Sequence, residues 1–141
     1  MAANLGQLTQ VQILDSLLHT GSSGAWTAPA SIWVGLCSSA PTDTATNEVS
    51  VALNYGRKEI SFGIASTASP AACTGPTATC TYTSASGTGW GVISGYILCK
   101  ASTGSTGASG YIAYGSVSPN VTVTTNDIVE FAAAAISLSL D

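Results

Sequence analysis

The chain has 141 residues, enough for one domain with a real hydrophobic core that needs neither metals nor disulfides. Only 7% of its residues are charged, against about a quarter in an ordinary soluble domain, while Ala, Ser, Thr and Gly fill 74 of the 141 positions. The net charge of −4, with Arg57, Lys58 and Lys100 the only cations, leaves no basic stripe and excludes nucleic acid as a partner.

The first element predicted along the chain is a helix over about residues 4–20. Leu5, Leu8, Val11, Leu14, Leu17 and Leu18 recur at the spacing that lines one helical face. Asn4 and Gln7 form a plausible capping box, and Gly21 a stop. His19, in the last turn, reads as a surface residue favoured by the helix dipole. The apolar face has to be buried on the chain's own sheet, the usual fate of such helices, or in a neighbour's groove. Leu5, Leu8 and Val11 are therefore candidate interface residues.

After a Gly/Ser-rich link that carries Trp26, the run Ser31 to Cys37 is rich in β-branched and aromatic residues and predicts a strand. Val49 to Phe62 alternates well enough for one long strand or two short ones, with a bend at Asn54-Tyr55-Gly56. The cluster Arg57, Lys58 and Glu59 there reads as a solvated strand face or a contact between subunits. Residues 66–88 are low in complexity and predict an extended arm with one short strand around Thr79 to Thr83. Trp90 to Lys100 predicts a firm strand, Gly104 to Gly110 a hairpin loop, and Tyr111 to Gly115 its partner. Val121 to Thr125 predicts a further strand, Asn126-Asp127 a turn, and Ile128 to Leu140 a last strand with alternating Ile136, Leu138 and Leu140. Several strands joined by short turns give the fold class: mainly β, an antiparallel β-sandwich or jelly-roll-like barrel with one N-terminal α-helix, in a single domain.

Little in the sequence supports catalysis. A Ser-His-Asp or Cys-His site would have to use His19, and no Gly-x-Ser-x-Gly elbow accompanies a serine. Glu48, Glu59, Asp127 and Glu130 would suit glycoside cleavage only if two met in a cleft. The Gly-rich pieces around Gly89 and Gly104 to Gly110 match neither a P-loop nor a dinucleotide fingerprint. Trp26, Trp33 and Trp90 could stack a sugar but more often anchor a core or an interface, so Trp26 and Trp90 join Arg57 and Lys58 as interface candidates. Cys73 and Cys80 flank the turn Thr74-Gly75-Pro76 and either bridge or remain free thiols, and with no Cys-x-x-Cys present zinc is not expected. The chain is thus expected to be no enzyme, to bind no cofactor or metal, to originate in a cytoplasm and to span no membrane, since no apolar run approaches about 18 residues.

The ordered set Trp26 to Leu36, Tyr55-Gly56-Arg57, Gly89-Trp90-Gly91-Val92-Ile93, Tyr114-Gly115-Ser116-Val117, Val121-Thr122-Val123 and Asp127 to Asp141 resembles small structural proteins of tailed-bacteriophage virions, often labelled tail-fibre proteins. The resemblance covers most of the chain and departs from shorter members at Ala72 to Thr83, where this sequence carries a Cys-containing insertion. It implies a repeated particle component, with similar proteins serving as capsid decoration, or cement, proteins that sit as trimers over capsomer junctions. The expectation is accordingly a head decoration (cement) protein of the virion, assembled in the bacterial cytoplasm, that stabilises the capsid as a homo-oligomer, a trimer, bound to the major capsid protein or other virion proteins, its neutral small-residue surface packing closely on neighbours. A neck, collar or tail component is the alternative, and a glycan- or receptor-binding module a third reading.

Overall fold

The computed structural model describes residues 2–18, 28–43, 45–67, 71–82, 86–103 and 110–140. Its elements in chain order are β1 (Ala2–Leu5), α1 (Gln7–Leu18), β2 (Ile32–Cys37), a 3₁₀ turn (Val51–Leu53), β3 (Lys58–Ile60), β4 (Ala71–Gly75), β5 (Cys80–Thr81), β6 (Gly91–Cys99), β7 (Tyr111–Val123), β8 (Glu130–Phe131) and β9 (Ile136–Leu140). Seven strands share one sheet in the order β3-β2-β6-β7-β1-β9-β4, and β5 and β8 form a separate pair. Every pairing is antiparallel except β1 with β9.

The sheet turns a corner at β1. Asn4 and Leu5 pair with Tyr114 and Ala113 of β7, whereas Ala2 and Ala3 pair with Ser137 and Leu138 of β9. The far strands thereby fold back over the near ones, and Val34, Leu36, Tyr96 and Leu98 share one core with Phe131, Ile136 and Leu138. The result is a mainly β, sandwich-like fold with one helix. The barrel alternative is corrected: β3 and β4 end the sheet unjoined, so it does not close.

Strands β2 and β6 form because both of their faces are covered, which is why their sequences are almost continuously apolar. Val34, Leu36, Ile93, Tyr96 and Leu98 enter the main core; Cys37, Ile97, Cys99 and Tyr111 form a second cluster with Trp33 and Tyr114. The Tyr111 hydroxyl donates to the Thr42 carbonyl (2.7 Å), tying the loop after β2 to this second cluster.

Several expected boundaries are corrected. The helix begins at Gln7, not residue 4, because Ala2–Leu5 supplies the strand that joins β7 to β9; a ladder of backbone hydrogen bonds outweighs helix propensity there. Of the stretch Val49 to Phe62, only Lys58–Ile60 is a strand. Residues 66–88, expected as an arm, contribute β4 along β9 and β5 along β8. Tyr111–Val123 is one strand instead of two; it bulges between Ser116, opposite Gly95, and Val121, opposite Ile93. Pro119, which lacks a backbone N–H, falls within the bulge, where no ladder bond is required of it. The tail divides into β8 and β9, with the Ala135 N–H donating to the Ala132 carbonyl (3.1 Å) between them. The Asn126-Asp127 turn forms as read, its Asp127 carboxylate accepting from the Thr124 N–H (2.8 Å) and hydroxyl (2.7 Å). Thr83, His19, Gly21 and the loop 104–109 lie outside the described residues.

Candidate interaction surface

The residues singled out from sequence divide between core and surface. Arg57 is buried, and its guanidinium grips both oxygens of Glu48, Nε to Oε1 and Nη2 to Oε2 at 2.8 Å each. Its Nη1 donates to the Ala101 carbonyl at 3.0 Å. The Tyr55 hydroxyl completes the network, accepting from the Leu36 N–H (2.7 Å) and donating to Glu48 Oε1 (2.9 Å). This seals the edge of β2 beyond the end of β3, where the Val49 N–H also donates to the Leu36 carbonyl (3.0 Å). The hydrogen bond to Glu48 holds the Arg57 guanidinium above its ordinary pKa, although burial opposes it. Burial, and then the Glu48 charge, push the Tyr55 phenol up, so it stays neutral and able to donate.

Trp90 is also buried. Its indole N–H donates to the Leu53 carbonyl (2.8 Å), and its ring stands edge-on to Tyr55 and Tyr82 with centroids 5.6 and 5.9 Å away. Each such ring pair contributes about 0.5–1.5 kcal/mol beyond the area it buries. Trp90 and Arg57 are therefore internal supports and not the interface residues expected: the chain's own core consumes the indole, and its own carboxylate consumes the guanidinium. A buried Trp90 also has no face left for stacking a sugar. Lys58 is half-buried on β3, opposite Val34. Trp26 lies outside the described residues, as does the Leu8 side chain.

Among the described residues, four of the nine exposed large apolar side chains lie on α1, and the others, Val51, Ile64, Val92, Val121 and Ile128, are spread over the rest of the fold. Leu14, Leu17 and Leu18 are 55%, 74% and 78% exposed, and Val11 is 48% exposed. The expectation that this face packs on the chain's own sheet is thus corrected. Thr9 and Ile13 turn toward the sheet, while the leucines one step around the helix turn outward. Beside them opens an apolar pocket of about 300 Å³ between α1 and both halves of the sheet, with Leu5, Thr9, Ile13, Phe62, Cys73 and Leu138 in its wall. Of the residues expected at an interface whose side chains are described, Leu5 and Val11 are brought to this surface. Leu14, Leu17 and Leu18 were legible as a helix face; the pocket was not, because Phe62, Cys73 and Leu138 come from segments distant in sequence.

The four carboxylates weighed for acid–base chemistry serve separate purposes. Glu48 holds Arg57, Glu59 accepts from the Ser31 hydroxyl, Asp127 caps its turn, and Glu130 lies on β8. Among the described residues no three His, Cys, Asp or Glu side chains gather to hold a metal ion.

The profile of the podophage GP4 fiber I protein gp80 family matches residues 4–139, nearly the whole chain. The chain belongs to this family. It is a structural protein of a bacteriophage virion, and the family is one of fiber components. No curated protein matches it. For a fiber-family protein the functional question is which surfaces its fold offers, and α1 brings four exposed apolar side chains beside an apolar pocket.

The four cysteines are free thiols, so no bridge joins Cys73 to Cys80. Cys80 faces the main core, whereas Cys73 stands half-buried in the pocket wall. Burial pushes the Cys37 and Cys99 thiols up to about 12 and raises Cys80 as well. Because the thiolate is the nucleophile, iodoacetamide at mildly alkaline pH is expected to modify Cys73 first and to reach Cys37 and Cys99 only on unfolding. Peptide mass spectrometry over a time course checks this order. Equal rates at Cys37 and Cys73 would contradict the packing of the second cluster.

Proposed function

We propose that this chain is a structural subunit of the phage fiber apparatus, working through contacts between subunits and not through chemistry on a substrate. The observation that carries the reading is the match to a fiber-protein family across residues 4–139. The geometry supports it in two ways. The buried ion pair Arg57 with Glu48 is spent on an internal support, and large apolar side chains stand outside on α1, as a subunit built to be covered requires. A capsid decoration subunit would use the same kind of surface, so the two readings differ in position and copy number.

Purified virions carrying an epitope tag on this protein, imaged by electron microscopy with gold-labelled antibody, test the reading. Label at the tail fibers is expected, with a copy number matching those few appendages and fiberless particles when the gene is disrupted. Label spread over the head, at a copy number that follows the capsid lattice, would move the subunit to a decoration role.

A further inference from the structure

We propose that β1 is an exchangeable strand: the place it fills between β7 and β9 takes residues 2–5 of a second copy of this chain, so that subunits are linked by swapped N-terminal strands. The inference does not depend on where in the particle the subunit sits.

The seam is visible in the topology. β1 is the one strand between β7 and β9, and it changes partner part-way: Asn4 and Leu5 lie opposite Tyr114 and Ala113, Ala2 and Ala3 opposite Ser137 and Leu138. With β1 away, β7 and β9 would each present an unpaired edge to the same gap, one strand wide. Unpaired edges are templates for pairing with another chain, so such a gap does not stay empty.

The gap also selects what fills it. Its occupant runs antiparallel to β7 and parallel to β9. Leu5 packs against the main core. Gly6 is buried and donates its N–H to the Ile112 carbonyl (2.8 Å), and a Cβ there would stand 3.0 Å from the Tyr111 ring. A strand that ends in Leu-Gly and turns at once into a helix therefore fits, and that is the N-terminal sequence of this chain. A second copy reproduces each of these contacts, so exchange leaves the packing unchanged and alters only the path of the connection.

Two features make the strand easy to release. β1 offers two residues to each neighbour, and Ala-Ala-Asn-Leu has little strand propensity. The helix behind it adds a partial anchor: Thr9 is buried, while Leu14, Leu17 and Leu18 stand in solvent. Segments held in this way open at a lower free energy than the fold as a whole. Residues 19–31 separate α1 from β2, a length of chain that spans at most about 45 Å, more than the roughly 30 Å diameter of a small domain. The arm is thus long enough to reach the same gap in a copy alongside.

Disulfide trapping between two chains tests the exchange. Both carry Cys73→Ser, because Cys73 lies opposite Leu138 on β9. One also carries Ala2→Cys; the other, lengthened by a C-terminal tag, carries Ser137→Cys, the position opposite Ala2. Incubation of the mixture at high concentration followed by mild oxidation is expected to give a covalent pair of tagged with untagged chain on non-reducing gels. Tagged Val51→Cys, at an exposed position on the 3₁₀ turn, should give no such pair with Ala2→Cys. Both cysteines placed in one chain are expected to bond partly within the chain and partly between chains, and Ala3→Cys with Leu138→Cys repeats the test one residue along. A bond found only within the chain, no covalent pair from the mixture, or as much of it with Val51→Cys as with Ser137→Cys overturns the proposal. Failure here leaves the fiber reading untouched, since that is decided on the virion.

Discussion

Arg57→Met is expected to destabilise the fold by about 3–5 kcal/mol, the cost of leaving a buried charge without its partner. The Arg57 and Glu48 side chains are 5% and 8% exposed, so solvent cannot take over when the guanidinium is removed. Glu48 would keep one donor, the Tyr55 hydroxyl, and the Ala101 carbonyl would lose the Arg57 Nη1. Replacing both partners, Glu48→Leu with Arg57→Met, removes the stranded carboxylate and is expected to cost less than the single Arg57 change, although Tyr55 then loses its acceptor. Urea denaturation of the four proteins gives the coupling directly. A loss below about 1 kcal/mol for Arg57→Met would place the pair with exposed ion pairs, whose contribution is small. Loss of assembly at unchanged stability would return Arg57 to the interface role that its charge first gave it.

Why that role was misread is physical. In the sequence Arg57 stands beside Lys58 and Glu59, and a charge cluster in so neutral a chain draws attention outward. Its true partner, Glu48, is nine residues earlier, across a 3₁₀ turn whose path no local pattern specifies. The strands that were legible are those whose residues carry their own evidence. β2 and β6 are rich in large apolar side chains because both of their faces are buried, and each was located to within a residue at either end. β1 and β4 are different: Ala2–Leu5 and Ala71–Gly75 have little strand propensity, and what makes them strands is β9, far away in the chain. Helical periodicity likewise located α1 and its leucine face but not the direction of that face. The outward turn follows from Thr9 and Ile13 meeting the pocket, a tertiary fact.

The Gly-Thr-Gly-Trp-Gly run at 87–91 matches no nucleotide-binding fingerprint, and the backbone explains its glycines: Gly87, Gly89 and Gly91 take φ of +61°, +81° and +71°. Gly89 and Gly91 flank Trp90, whose N–H donates to the Val123 carbonyl (3.0 Å) as its indole enters the core. They differ in surroundings. A Cβ at Gly91 would meet nothing within 4 Å, whereas one at Gly89 would lie 2.6 Å from Thr124 Cα and closer still to the Val123 carbonyl oxygen. Gly91→Ala should therefore cost only the left-handed backbone penalty, about 1–2 kcal/mol. Gly89→Ala should add the strain of an overpacked site, about 1–3 kcal/mol more, because the atoms in the way are backbone and cannot rotate aside. Relief would come only by pulling Trp90 from Tyr55 and Tyr82, so near-ultraviolet circular dichroism of the Gly89 variant should lose aromatic signal that the Gly91 variant keeps. Urea denaturation giving equal losses for the two would mean that the β7 end moves to accommodate the methyl group, and that Trp90 is held by its ring contacts and not by the approach of Gly89 to Val123.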